Sequence, residues 1–162
     1  MAECREQSPE KAVVELLARK HLTVTTAESC TGGLIAGTLV NVPGASEVLN
    51  EGYVTYSNEA KERLLGVSHE TLERFGAVSE ETAREMAEGA AKTAGADTAL
   101  SATGIAGPGG GTDAKPAGLV YIGCYANGET TVRECRFSGS RMENRLRTVE
   151  TALLMLKDAL EK

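Results

Sequence analysis

Short β-branched runs alternate with helical stretches until the last third of the chain, where two β runs meet at Asn127-Gly128. Asn-Gly tolerates the left-handed backbone of a two-residue hairpin, so these runs pair antiparallel. That turn sets Cys124 opposite Thr131 and Cys135 opposite Val120, so the two cysteines do not pair across the hairpin. The earlier runs are separated by helices and join as parallel strands through crossovers. The order β-α-β-α-α-β-β-α predicts an α/β fold, a single α/β/α sandwich with the hairpin at one edge. A chain of 162 residues suits one domain, taken as 1–162.

The elements follow from caps and periodicity. Ser8-Pro9-Glu10 opens a first helix, with Ser8 as its cap and Pro9 at the first position, and Val13, Leu16 and Leu17 form its apolar stripe. LTVTT (22–26) reads as the first strand and LIAGTLVN (34–41) as a buried helix. EVLNEGYVTYS (47–57) reads as the second strand. Helices follow over 58–67 and 68–76, stopped near Gly66 and Gly76. Ser79 caps a central helix that Gly95 ends. ADTALSATG (96–104) is the third strand and runs into a long Gly-rich loop. Ser140-x-x-Glu143 is a capping box for a final helix, with Leu146, Val149, Leu153, Leu156 and Leu160 along one face.

Composition narrows the function. The net charge is −6, which opposes broad binding to a nucleic-acid backbone. Aromatic residues are 4% with no Trp, too few for base-stacking platforms. No apolar run approaches a membrane span, and MAECREQSPE lacks the core of a signal peptide. The expectation is a cytoplasmic protein with neither nucleic-acid nor membrane partners. Four Cys without a C-x-x-C pair give neither a zinc pattern nor a disulfide framework, so no metal is expected. Association through a sheet edge or helix face, as a homo-oligomer, is compatible with the pattern but not encoded in it.

Four segments could carry chemistry. Glu28-Ser29-Cys30-Thr31-Gly32-Gly33 lies between a strand and a helix, where free N–H groups suit an anion or a developing oxyanion. Ser29 is placed to act as a nucleophile; equally, Ser29 or Thr31 could cap the helix, and Cys30 is a rival thiol. A serine needs a base, and neither His21 nor His69 has a motif around it. Tyr56-Ser57-Asn58-Glu59-Ala60-Lys61 offers a lysine instead, if burial lets it shed its proton. The alternative is a solvated helix lysine. Thr103-Gly104 through Gly111 could cradle a phosphate or planar base with backbone N–H groups, or could be a flexible connection. Arg141 and Arg145 stand one turn apart at the start of the last helix, where cations oppose the dipole. They suit a phosphate or carboxylate partner, or pairing with a surface acid.

Together, AESCTGGLIAGTL, EGYVTYSNEAKERLLGV, ALSATGIAGPGGG with KPAGLVYIG, and FSGSRMENRLRTVETAL resemble the C-terminal domain of the competence/damage-inducible CinA family. The resemblance covers roughly Ala12 to the end and implies the stand-alone form, which is similar to nicotinamide mononucleotide (NMN) deamidase. It implies hydrolysis of the NMN carboxamide to nicotinate mononucleotide and ammonia, in pyridine-nucleotide salvage, with no cofactor. It implies Ser29 as nucleophile and Lys61 as base, directly or through Tyr56. Substrate would be held by Cys30, Thr31, Gly32, Thr103 and Gly104, with Arg141 and Arg145 on the phosphate. The implied fold is a three-layer α/β/α sandwich on a five-stranded mixed sheet, order 2-1-3-4-5, with strand four antiparallel. In that order the segments meet at the carboxyl ends of strands one and three, where open α/β sheets bind ligands. The rival reading is a catalytically silent module that senses a nucleotide or binds a partner.

Overall fold

A computed structural model describes residues 7–162, so Cys4 lies outside the described residues. Its elements run α1 (Pro9–Lys20), β1 (Val24–Glu28), α2 (Leu34–Val40), β2 (Tyr53–Val54), α3 (Asn58–Leu65), α4 (His69–Phe75) and α5 (Glu80–Ala94). Then follow β3 (Thr98–Gly104), β4 (Leu119–Ala126), β5 (Glu129–Arg136) and α6 (Arg141–Leu160). The five strands form one sheet in the order β2-β1-β3-β4-β5. β1 pairs parallel with β2 and β3, while β4 is antiparallel to both β3 and β5. The hairpin register is the expected one: Cys124 opposes Thr131 and Val120 opposes Cys135.

Helices cover both faces of the sheet, and the inner strands are buried on both sides. On β3, Leu100 and Ala102 pack with Leu17, Ile35, Leu153 and Leu156 beneath α1, α2 and α6. Ala99 turns the other way and packs with Leu65, Met86 and Ala90 beneath α3, α4 and α5. Gly123 of β4 lies so near α5 that a Cβ there would stand 2.7 Å from the Ala83 carbonyl oxygen.

Three expectations are corrected. The first strand starts at Val24, not Leu22, because the Leu22 N–H closes α1 on the Leu17 carbonyl and Thr23 pairs with Asp97. The second strand is two residues long rather than eleven. Ala45–Glu47 forms a 3-10 turn, and an isolated bridge joins Leu49 to Val24 before regular pairing begins at Tyr53 and Ala27. One extra residue on the β2 side breaks the ladder, as a bulge does, and the Thr25 hydroxyl donates to the Glu51 carbonyl in the gap. Leu146 is 52% exposed and does not belong to the buried stripe of α6. The first turns of α6 instead bury Asn144 and Thr148, since they face the polar loops at the end of the sheet.

Candidate active site

β1 delivers Glu28 to the sheet end, and the Ser29 N–H continues the pairing by donating to the Ala102 carbonyl at 2.9 Å. The chain must then turn sharply into α2. Gly32 and Gly33 make that turn with φ of +57° and +100°, values that side chains other than glycine resist. The Gly32 N–H closes on the Ser29 carbonyl at 3.1 Å. Ser29 itself is nearly buried, at 9% exposure.

α3 supplies the lysine. Ser57 caps it by accepting from the Ala60 N–H, which fixes Lys61 one turn in, on the inward face. Lys61 is 1% exposed, an extreme burial for an ammonium group. Its Nζ lies 3.2 Å from Ser29 Oγ, 2.9 Å from the Thr55 carbonyl oxygen and 3.2 Å from the Tyr56 carbonyl oxygen. Among the described residues no carboxylate pairs with it. Burial holds its pKa below the ordinary lysine value, partly offset by the charge of the Cys30 thiolate when that forms. The donor count then matters. A neutral amine has two N–H groups and one lone pair. In the structure Nζ donates to all three oxygens; in the neutral form the two carbonyls would take the N–H groups and leave the lone pair for the Ser29 hydroxyl.

Tyr56 meets Lys61 through its backbone. Its side chain is 63% exposed, and its hydroxyl accepts from Arg141 at 3.3 Å. Arg141 also donates to the Gly107 carbonyl at 3.0 Å and lines a cleft with Ala106, Pro108, Phe137 and Ser140. Arg145 turns to the Ser29 loop: Nε donates to the Cys30 carbonyl at 2.9 Å and an Nη to the Thr31 carbonyl at 3.1 Å. The two arginines share one edge of the site, but each is already engaged with backbone or hydroxyl oxygens.

The other expected residues take varied places. Thr103 is buried and donates its hydroxyl to the Ala77 carbonyl at 2.7 Å, tying β3 to the α4–α5 link. Gly104 sits against β4, where a Cβ would stand 2.7 Å from the Leu119 carbonyl oxygen. Thr31 is fully buried, and its hydroxyl has no partner among the described residues; the same holds for Thr55. Cys30 is buried, and desolvation pushes its thiol up to about 11, with the charge of Glu28 acting in the same direction. It is therefore un-ionised near neutral pH. The sequence reading assigned the oxyanion to helix N–H groups, but two of those are taken: Glu28 accepts from Ile35 at 2.7 Å and Ala36 at 3.1 Å. The N–H groups of Cys30, Thr31 and Gly33 donate to no other residue among those described.

Sequence reasoning gave no role to Glu28 or Asn144. Asn144 is buried, donates to the Ala106 and Gly139 carbonyls and accepts from the Gly139 N–H, which pins the Gly-rich loop to α6. Among the described residues, no group of three His, Cys, Asp or Glu is arranged to hold a metal ion. No helix there is long and apolar enough to cross a membrane.

The family profile of the CinA C-terminal domain matches residues 6–160. The chain belongs to the CinA C-terminal domain family. A competence/damage-inducible protein from Agrobacterium tumefaciens has a crystal structure of the same fold, with a TM-score of 0.91 and 48% identity over 97% of this chain and 98% of that one. A CinA superfamily protein from Klebsiella pneumoniae gives 0.91 and 37% identity, over 94% and 96% of the two chains. Clostridial proteins bearing the competence-damage inducible name are 57% identical, in Clostridium beijerinckii over 153 residues and in Clostridium perfringens over 157. The chain spans 37% and 38% of the length of those two relatives. The strand order and antiparallel β4 are those expected of a CinA domain.

Proposed function

We propose that this CinA domain acts as one unit over 1–162 and is an amidohydrolase that converts NMN to nicotinate mononucleotide and ammonia. The observation that carries the reading is the contact of a fully buried, carboxylate-free lysine with a serine hydroxyl, at 3.2 Å. A lysine in that state can serve as a general base. Ser29 Oγ attacks the carboxamide carbon as Lys61 Nζ takes the hydroxyl proton. The carbonyl oxygen becomes an anion held by the Cys30 and Thr31 N–H groups. Lys61 passes its proton to the amide nitrogen, the C–N bond breaks and ammonia leaves. Water then attacks the acyl-enzyme, giving one proton to Lys61, and Ser29 recovers that proton as the acid departs.

The geometry supports direct transfer, because Tyr56 reaches Lys61 by its carbonyl and not its hydroxyl. Arg141, in the cleft beside Tyr56, suits the phosphate. Incubation with NMN and measurement of ammonia and nicotinate mononucleotide tests the reading directly. Binding of NMN without any ammonia release would instead establish the silent sensing module.

A further inference from the structure

Glu28 is the most unusual group in the site that the mechanism does not use. It is fully buried, lies at the end of β1 and has strands on both sides. Among the described residues it forms no ion pair. Its two oxygens accept from successive amides, Ile35 and Ala36, in the first turn of α2. The carboxylate therefore joins the residue before Ser29 to the helix after the turn, closing residues 29–33 into a ring. A cap for α2 alone would need only a serine or aspartate at the cap position, which Gly33 occupies instead. Arg145 grips the same ring from outside through the Cys30 and Thr31 carbonyls.

We propose that Glu28 is the positioning residue of the nucleophile: by accepting from the Ile35 and Ala36 amides it locks the 29–33 turn so that Ser29 Oγ stands at Lys61 Nζ and the Cys30 and Thr31 N–H groups beside it stay open as oxyanion donors. The inference rests on Ser29 being the nucleophile. Two further facts agree with it. The helix dipole offsets the buried negative charge, so the carboxylate is tolerated where it stands. That same charge helps keep the Cys30 thiol protonated, so the neighbouring sulfur does not compete with Ser29.

The test uses a fluorophosphonate probe on the whole chain, independent of any amide substrate. Ser29 Oγ forms a bond to phosphorus, the P–F bond breaks, fluoride leaves and the hydroxyl proton goes to Lys61. Mass spectrometry locates the label. The parent should be labelled at Ser29, and Glu28→Gln should react about 10- to 100-fold more slowly, as expected when a reacting atom is misplaced. The carboxamide keeps one acceptor but turns an N–H group toward a backbone donor. Its kcat for NMN should fall by a similar factor while KM changes less than about twofold, because truncated positioning leaves ground-state binding in place. Amide hydrogen exchange in the parent needs no variant to fold: Ile35 and Ala36 should be protected, and Cys30 and Thr31 should exchange fast. Equal labelling of parent and folded Glu28→Gln, or unprotected Ile35 and Ala36 amides, would overturn the inference alone. A parent that labels elsewhere than Ser29 would overturn the nucleophile reading and the inference with it.

Discussion

Replacing Lys61 with methionine tests the proposed base. The side chain keeps its length and apolar stem but has no lone pair able to take a proton. A positioned general base contributes about 10²- to 10⁴-fold. At 1.36 kcal/mol per decade the barrier should rise by about 2.7–5.4 kcal/mol. The fold should survive. The bond lost to the Thr55 carbonyl is buried, while that to Tyr56 is only part-buried and open to water. An unpaired buried acceptor costs about 1–3 kcal/mol, and removal of a buried amine offsets part of that. The pH dependence gives the sharper test. Burial lowers the Lys61 pKa, so the neutral base forms below the usual lysine range. Parent kcat/KM should therefore rise with pH through that lowered value, and the variant should lose this limb. The sign for stability follows from the same shift. Between the folded pKa and the unfolded value of about 10.4, the unfolded chain binds more protons, so parent stability rises with pH. Ammonia release from NMN and urea midpoints, both measured against pH, supply the readings. A Lys61→Met enzyme within tenfold of the parent, or one that keeps the same rising limb, would refute the lysine as base.

Ser29→Ala should fold, bind NMN and release no ammonia, whereas Cys30→Ala should keep most of its turnover; the reverse pattern would make the thiol the nucleophile. Arg141→Ala should cut kcat/KM for NMN by roughly 10- to 150-fold, the worth of one charge-assisted contact, with little effect on the phosphate-free riboside. Arg145→Ala should lower both substrates together, because Arg145 also holds the Cys30 and Thr31 carbonyls; an NMN-selective loss would show that it acts on the phosphate alone. Gly89→Ala should destabilise the fold even though alanine favours helix by about 1 kcal/mol. Its Cβ would lie 1.9 Å from the Leu65 carbonyl oxygen, and a higher urea midpoint for this variant would contradict the close approach of α5 to α3.

Local rules were enough where an element's signal lies within its own residues. Ser68, Ser79 and Ser140 accept N–H groups of the helices they open, and the Asn127-Gly128 hairpin has its expected register, whereas Ser8 makes no side-chain cap bond to α1. The alternation of strand and helix sufficed for the layered class, and the strand order came with the family resemblance. β2 was misjudged because a β-branched run does not reveal an extra residue against its neighbour, nor the Thr25 hydroxyl that replaces a ladder bond. Leu146 was misjudged because helical periodicity cannot say where along α6 the apolar core gives way to polar loops. At the site, sequence singled out Ser29 and Lys61 by residue type, 32 positions apart. Whether a lysine is a surface charge or a base depends on its dielectric and its acceptors, and both come from other segments. Only the tertiary structure places two carbonyls and a serine hydroxyl around Lys61 Nζ. Only it turns Arg145 onto the loop carbonyls and Glu28 onto the amides of α2, because those contacts join residues whose meeting is decided by the packing of the sheet and not by their neighbours in the chain.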